Sequence, residues 1–298
     1  MLKAPVLSEL PGGKWNLPQL DESVVIPRVI HQTFMSKKLP SELQANVDRI
    51  KRLNPGWTHV IHDDDDITKF IGEHYGPHIL HCFERINPRY GVARADLFRY
   101  LLMYKRGGIY LDIKSTCTCP FEQMLRPDDR YILSHWRNEP GGQHEGFGTS
   151  AEVTDIVGGE YQQWHIVAAP GHPFLKAVIE AVLQNIDQYR PWLHGTGAIG
   201  VLRLTGPLAY TLAIQPLVPS VPHRQVANET VVGLKYSVYS HTSHRAVYKT
   251  NYSILTESVV LMKNMNKLLA HFYSFAKKSK HLLLAKVNSI HYGRAHPA

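Results

Sequence analysis

Two charged side chains stand at the end of a short apolar run in the stretch KRGGIYLDIKSTC, residues 105–117. Asp112 follows the run Ile-Tyr-Leu, and Lys114 comes two positions later. A carboxylate is costly to bury without a partner. It can accept hydrogen bonds from sugar or ribose hydroxyls or ligate a divalent ion, and an ammonium suits phosphate oxygens. The pair therefore predicts a ligand site where a buried strand ends.

Two more charges precede this stretch, on a predicted helix that ends at Gly107. Arg99 lies roughly 12 Å and Asp96 roughly 16 Å along that helix from its end, whereas Asp112 lies roughly 13 Å along the following strand. After the chain reverses, all three reach the carboxyl end of the strand, where open α/β sheets bind ligands. The simpler alternative is a salt bridge between Asp96 and Arg99 on one helix face.

The elements that must position these charges alternate between strands and helices. Apolar and β-branched runs predict strands at 24–34 and 57–64, and helical spacing predicts helices at 41–54 and 90–108. This order favours a largely parallel sheet in one α/β domain with insertions. We expect a loosely ordered lead-in over 1–25, a catalytic domain over 26–260 and a distinct tail over 261–298.

The composition narrows the class of partner. The 298-residue chain has a formal net charge of +8 without its 18 histidines, which suits anionic partners, although a merely soluble basic protein has the same balance. A Walker A loop and a GxGxxG fingerprint after the first strand are both missing, which argues against kinases, ATPases and Rossmann dehydrogenases. RNP-type aromatic motifs and zinc-finger spacings are also missing, so we expect no nucleic-acid partner.

The tail is basic and carries interleaved apolar residues. After Glu257 there is no Asp or Glu, and there are seven Lys or Arg residues. The pattern predicts an amphipathic helix that contacts a membrane surface or another anionic partner, or else a solvated helix that packs on the domain. Neither a signal-length apolar run nor a membrane span is evident. We therefore expect a cytoplasmic protein, or one peripheral at the inner membrane face.

Several other groups are weaker candidates. The run HDDDD at 62–66 is typical of a solvated loop with an Asp cap, although Asp63 follows a strand and can face a nucleotide. His241 and His244 lie three positions apart and need a third partner to hold a metal. Trp136 and Trp164 suit either sugar stacking or core packing. The glycine-rich stretch 141–148 predicts a mobile loop near the site.

Four stretches together resemble a known family: IPRVIHQTF, NPGWTHVIHDD, ARADLFRYLLMYKRGGIYLDIKS and LTGP, which span roughly residues 24–210. They are similar to the DXD-type sugar transferases of glycosyltransferase family 32. That resemblance implies a fold of the GT-A type, a Rossmann-like mixed, mainly parallel sheet flanked by helices. It also implies transfer of a hexose from a UDP- or GDP-sugar to a glycan or glycolipid, with retention of configuration.

The resemblance also assigns roles to residues. It implies that Ile30, His31 and Gln32 lie by the nucleotide, that Asp96 and Arg99 contact the donor sugar and its diphosphate, and that Tyr110 and Asp112 belong to one YxDxD element. We also expect Asp63 and Arg94 to bind the donor. Asp112 is then the first acid of the DXD element, which meets the ribose, the sugar and the metal. The second acid, the main metal ligand of the family, is replaced here by Lys114.

This replacement leaves two mechanisms and one non-catalytic alternative. The resemblance favours a Mn²⁺ or Mg²⁺ ion bound through Asp112, with help from His241 or His244. Alternatively, Lys114 itself offsets the negative charge that builds on the leaving diphosphate. In the non-catalytic alternative, the lysine marks a lost metal site in a protein that binds nucleotide sugars without turning them over.

Overall fold

The computed structural model describes residues 15–239 and 252–293. The strands are β1 (Val29–Thr33), β2 (Thr58–His62), β3 (Gly108–Leu111), β4 (Thr116–Cys117), β5 (Tyr131–His135), β6 (His165–Ala168), β7 (Arg224–Asn228) and β8 (Leu234–Lys235). The helices are α1 (Ser41–Leu53), α2 (Asp64–Arg85), α3 (Gly91–Arg106), α4 (Phe121–Met124), α5 (Pro173–Gln188), α6 (Pro191–His194), α7 (Gly197–Leu204), α8 (Pro207–Ile214) and α9 (Asn264–Gly293).

The main sheet has six strands in the order β2-β1-β3-β6-β5-β7, and β4 pairs with β8 in a small second sheet. Strands β1, β2 and β3 run parallel, as do β5 and β7, while β6 is antiparallel to both of its neighbours. The predicted fold class, a mixed, mainly parallel sheet flanked by helices, is confirmed. Five strands therefore have their carboxyl ends at one edge, and β6 begins there.

The sheet is buried on both faces because side chains alternate along each strand. Tyr110 and Ile166 belong to the cluster that packs under α2, α3 and α5, whereas Ile109 and Val167 belong to the cluster on the opposite face. Both clusters are fully excluded from water at these positions. The strand ends that carry functional groups thus project from a rigid, close-packed base.

The reversal between α3 and β3 depends on two glycines. Gly107 and Gly108 have φ values of 62° and 100°, in the region that favours glycine. A Cβ on Gly107 would lie 2.5 Å from Pro170 Cδ, and one on Gly108 would lie 2.5 Å from the Val29 carbonyl oxygen. The glycines therefore allow α3 to fold back tightly on β3, which brings helix and strand into register.

The two ends of the described chain pack on this domain. In the lead-in, the Leu17 side chain is buried, and its amide donates to Glu180 on α5. At the other end, α9 packs next to α6. Among the described helices, one stretch, Gly197–Leu217, is apolar and long enough to cross a membrane, but 61% of its apolar 18-residue window is buried inside the domain, as in a core helix.

Candidate active site

A buried arginine joins two carboxylates at the carboxyl edge of the sheet. Arg99 Nη2 lies 3.1 Å from Asp96 Oδ1, and Arg99 Nη1 lies 3.2 Å from Asp112 Oδ1. The side chains of Arg99 and Asp96 are only 4% and 1% exposed, whereas that of Asp112 is 25% exposed. The predicted meeting of the three charges is confirmed, and Asp112 is the member of the cluster that a ligand can reach.

Further contacts fix the guanidinium in place. Arg99 Nη1 also donates to the Gln163 carbonyl oxygen at 3.0 Å, and its Cζ lies 4.8 Å from the centroid of the Tyr110 ring. Burial by itself lowers the pKa of Arg99, but the electrostatic effect of Tyr110, Asp112 and Asp96 outweighs it and raises the pKa above its usual value. The arginine is a permanent positive charge behind Asp112.

Asp96 is held at the centre of this arrangement. Its Oδ1 accepts from Gln163 Nε2 at 3.1 Å, and its Oδ2 accepts from Thr205 Oγ1 at 3.0 Å. Burial raises the pKa of Asp96 to about 6, against the opposing effects of Arg99 and the two hydrogen bonds. Asp96 is therefore ionised, and fully able to hold Arg99, only above about pH 6.

Lys114 lies on the other side of Asp112 and has a different kind of partner. Its Nζ donates to the hydroxyl of Tyr236 at 2.7 Å and lies 4.0 Å from the centroid of that ring. The backbone is fixed by hydrogen bonds from the Ser115 amide to the Asp112 carbonyl and from the Val238 amide to the Lys114 carbonyl. In the part of the chain that the structure describes, no carboxylate forms an ion pair with Lys114.

Aromatic rings surround Tyr236. Trp136 and Trp164 lie with their ring centroids 5.1 and 5.5 Å from it, and His144 lies 5.8 Å away. The indole Nε1 of Trp164 is buried and has no hydrogen-bond partner among the described residues. Together with Tyr236 these rings form an aromatic wall, and the Lys114 ammonium contacts this wall through Tyr236.

The glycine-rich stretch 141–148 lies against this wall. His144 Nε2 is 3.1 Å from Glu229 Oε1, and Glu229 Oε2 accepts from Gln162 Nε2 at 2.8 Å. A second buried carboxyl, Glu160, accepts from Trp136 Nε1 at 3.2 Å, and burial raises its pKa to about 7. The loop is therefore anchored to the sheet edge by buried hydrogen bonds at its aromatic corner.

The residues of β1 that the family resemblance assigns to the nucleotide are buried. Ile30 belongs to the apolar core, and Gln32 is fully excluded from water, with its Nε2 donating to the Asp112 carbonyl at 3.3 Å. His31 pairs with His62 at 3.1 Å, and burial, with His62 next to it, lowers the pKa of His31 to about 3. Of these side chains, Gln32 supports the backbone at Asp112 directly.

Three other predicted donor-binding residues lie in structural contacts. Arg94 donates to the Ile86 carbonyl through Nε at 3.0 Å and lies over the ring of Phe83, so it is not part of the Arg99 cluster. Asp63 is the N-cap of α2, where it accepts from the Asp66 amide at 3.0 Å. Tyr110 is buried beneath Arg99, with its hydroxyl 2.9 Å from Thr33 Oγ1. Their roles toward a donor remain predictions.

The described residues fit a protein-held metal poorly. They contain no group of three or more His, Cys, Asp or Glu side chains arranged to hold an ion. Asp112 is the acid at the DXD position, and the neighbouring charges, Arg99 and Lys114, are both cationic. His241 and His244, the other predicted ligands, lie outside the described residues.

Tyr236 is the site residue that the sequence did not indicate. It follows β8, and β8 pairs with β4 just after Lys114, with Thr116 opposite Lys235. A second tyrosine, Tyr252, also lies nearby: burial raises its pKa to about 12, and the charges of Asp96 and Asp112 contribute. Nothing in the sequence spacing of these two tyrosines distinguishes them from the other 13 of the 15 in the chain.

Comparison with known proteins supports the resemblance. Residues 40–132 match the family described as "Glycosyltransferase sugar-binding region containing DXD motif". Inositol phosphoceramide mannosyltransferase 3 of Schizosaccharomyces pombe is 29% identical over 189 residues, which are 63% of this chain and 44% of that protein. Mannosyl phosphorylinositol ceramide synthase SUR1 of Saccharomyces cerevisiae is 27% identical over 183 residues, which are 61% of this chain and 41% of that protein.

Among solved structures, the ligand-free glycosyltransferase domain of the YGT toxin has a TM-score of 0.45 and 8% identity, and the match covers 87% of this chain and 91% of that domain. The chain spans less than half the length of the two yeast relatives. The family match runs from α1 into β5, so it includes Asp96, Arg99, Asp112 and Lys114. The resemblance to a DXD-type glycosyltransferase, predicted from the sequence, is confirmed.

Proposed function

We propose that this chain, which contains the sugar-binding region of a DXD-type glycosyltransferase, transfers a hexose from a nucleotide sugar to a glycan or glycolipid. The observation that carries the proposal is the geometry at the end of β3. A partly exposed carboxylate, Asp112, is fixed 3.2 Å from the buried Arg99, and a lysine without an ion-pair partner among the described residues follows it by two positions. A hydroxyl-rich diphosphate ester is complementary to this set of charges.

Asp112 acts as the group that orients the sugar. Its Oδ1 faces Arg99, and the exposed part of the carboxylate is free to accept hydrogen bonds from hydroxyls of the donor sugar or the ribose. Because Arg99 is itself held by Asp96 and Gln163, the carboxylate has one position rather than several. Orientation of this kind lowers the barrier by holding the reacting atoms in place before the reaction.

Lys114 acts on the leaving group. As the bond from the sugar C1 to the diphosphate breaks, negative charge builds on the diphosphate oxygens. A lysine ammonium fixed at that point stabilises the charge, and the low dielectric of the aromatic wall strengthens the interaction. Tyr236 holds the ammonium through its hydroxyl and its ring, so the charge needs little reorganisation when the diphosphate leaves.

A divalent ion is the alternative source of this positive charge. It would bind through Asp112 and the diphosphate of the donor, with His241 or His244 as a further ligand, and would act as a Lewis acid. The described residues fit this arrangement less well, since Asp112 is flanked by two cations. With retention of configuration, as the family resemblance implies, no general base is required and the departing phosphate takes the acceptor proton.

Turnover and metal dependence can be tested together. Radiolabelled UDP- and GDP-hexoses are incubated with the full chain, and donor hydrolysis is measured with EDTA and then with added Mn²⁺. We expect hydrolysis of one donor to continue in EDTA. Complete loss in EDTA with recovery in Mn²⁺ would establish the metal mechanism instead, and tight donor binding with no turnover under any condition would show a non-catalytic binding protein.

Variants of Lys114 separate the two mechanisms. Lys114→Met removes the charge and keeps the length of the side chain, and we expect kcat to fall about a hundredfold. Lys114→Asp restores the second acid of the motif, and we expect its residual activity to require Mn²⁺. Lys235→Met is the matched control, because Lys235 is exposed on β8 and next to Tyr236 in sequence; it should keep full activity.

A further inference from the structure

The last described helix, α9, packs on the domain with small and polar side chains. Ala270 is buried, Ser274 Oγ lies 3.3 Å from Thr256 Oγ1, and Lys277 Nζ donates to Thr196 Oγ1 at 2.7 Å. These positions are spaced i, i+4 and i+7, so they share one helix face. An amphipathic helix usually turns its apolar side to the core, but this helix does not.

The apolar side of α9 faces solvent instead. Leu268, Phe272, Phe275 and Leu282 are 53%, 64%, 72% and 59% exposed. They are spaced i, i+4, i+7 and i+14, so they form a single stripe on the face opposite Ala270. Exposed apolar residues are unremarkable singly, but a contiguous stripe with two phenylalanines indicates a binding surface.

Positive charge borders this stripe. At 3.6 residues per turn, Lys267 and Lys278 lie along one edge and Lys280 lies along the other. All three lysines are exposed, and the sequence has no Asp or Glu after Glu257. A second copy of α9 would bring like charges together along both edges, which disfavours self-association through this face.

We propose that the exposed face of α9 docks the protein on an anionic lipid surface, with Leu268, Phe272, Phe275 and Leu282 inserted at the boundary between headgroups and acyl chains. The lysines along the edges of the stripe then contact the anionic headgroups, whose negative charge complements theirs. The proposal does not depend on sugar transfer, but it would bring the site at β3 to a membrane that holds lipid-linked acceptors.

The test measures binding of the full chain to vesicles by flotation. Phosphatidylcholine vesicles with and without phosphatidylserine are compared for the wild type and for Phe272→Ser/Phe275→Ser. We expect the wild type to float with the anionic vesicles only, and the double variant to bind at least roughly tenfold less. Lys278→Ala/Lys280→Ala should lower anionic binding by roughly fivefold or more per lysine, with further loss in high salt.

Two controls distinguish specific binding through α9 from general surface hydrophobicity and from misfolding. Val157→Ser/Val231→Ser removes two exposed apolar residues elsewhere on the domain and should bind vesicles as the wild type does. Donor hydrolysis in the absence of vesicles should be unchanged in the α9 variants, which reports on folding and on the catalytic proposal independently. The proposal is overturned by equal flotation of wild type and Phe272→Ser/Phe275→Ser, by equal binding to neutral vesicles, or by a dimer in sedimentation that this variant abolishes.

Discussion

The two sides of Asp112 hold their cations in opposite ways. On one side, Arg99 is buried between two carboxylates and a carbonyl oxygen, so its charge is already balanced. On the other side, Lys114 rests on the hydroxyl and ring of Tyr236, which leave its charge uncompensated. We infer that the ionic side, formed by Asp96, Arg99 and Asp112, fixes the geometry of the site. The aromatic side, formed by Lys114, Tyr236 and the rings around Tyr236, supplies a positive charge for an anionic ligand. Positioning and charge stabilisation are then separate tasks at this site.

The largest loss of activity from a single substitution is expected on the ionic side, at Asp112. Asp112→Asn removes the charge opposite Arg99 and weakens acceptance of sugar hydroxyls, and we expect kcat/KM for donor hydrolysis to fall a hundredfold or more. Asp65→Asn, which changes an exposed acid in the first turn of α2, serves as the matched control and should leave the rate unchanged. Full activity of Asp112→Asn would refute the assignment of the site.

A second prediction for the ionic side concerns Asp96 and the pH dependence of activity. The pKa of Asp96 is about 6, so the wild type should lose activity as the pH falls through 6, because protonated Asp96 no longer holds Arg99. Asp96→Asn keeps the shape and the contact to Thr205, and we expect roughly tenfold lower activity above pH 7 with the acid limb near pH 6 removed. A variant that retains the same limb would show that another group titrates.

The ionic side could be predicted from the sequence because its parts are close in the chain. Asp96 and Arg99 lie on α3, and Asp112 directly follows β3 after one tight turn, so the rise per residue of helix and strand sets their heights. The alternation of strands and helices predicted the parallel sheet at whose edge they meet. The apolar run at 24–34 overestimated the first strand, because pairing starts only at Val29, two residues beyond Pro27.

The aromatic side could not be predicted in this way. Tyr236 reaches Lys114 through the pairing of β4 with β8, two-residue strands more than 110 positions apart. Within 231–239 of the predicted late strand 231–241, only Leu234 and Lys235 form a strand, and the residues on either side lie in the end of a short 3-10 helix, a turn and bends. Trp136 and Trp164 were identified as either sugar-stacking or core residues, and only their packing around Tyr236 relates them to the site.

Removal of the Tyr236 hydroxyl tests the aromatic side by itself. Tyr236→Phe keeps the ring beneath the ammonium but deletes the 2.7 Å hydrogen bond, so we expect kcat to fall about three- to tenfold with little change in KM. Combined with Lys114→Met it should add nothing, because a positioning residue has no effect once the group it positions is gone. An additive loss in the double variant would contradict the link between the two side chains.

The smallest effect on activity is expected for a substitution of Glu160, the buried carboxyl that contacts Trp136 in the aromatic wall. Burial raises its pKa from 4.5 to about 7, so its ionisation opposes folding by about 3 kcal/mol at most. The folded state keeps the proton that the unfolded chain releases near pH 4.5, and stability is therefore lost as the pH rises through 7. Glu160→Gln removes this cost and keeps an acceptor for Trp136 Nε1.

We therefore expect Glu160→Gln to match the wild type in free energy of unfolding near pH 4.5 and to exceed it by up to about 3 kcal/mol at pH 8, as measured by urea denaturation. Donor hydrolysis should change little, since the carboxyl contacts Trp136 rather than Lys114 or Asp112. The acid limb assigned to Asp96 should also persist in this variant. If Glu160→Gln shifted the acid limb of the pH–activity profile, the titrating group would be Glu160 on the aromatic side rather than Asp96 on the ionic side. The proposal that the aromatic side supplies charge without titrating would then be wrong.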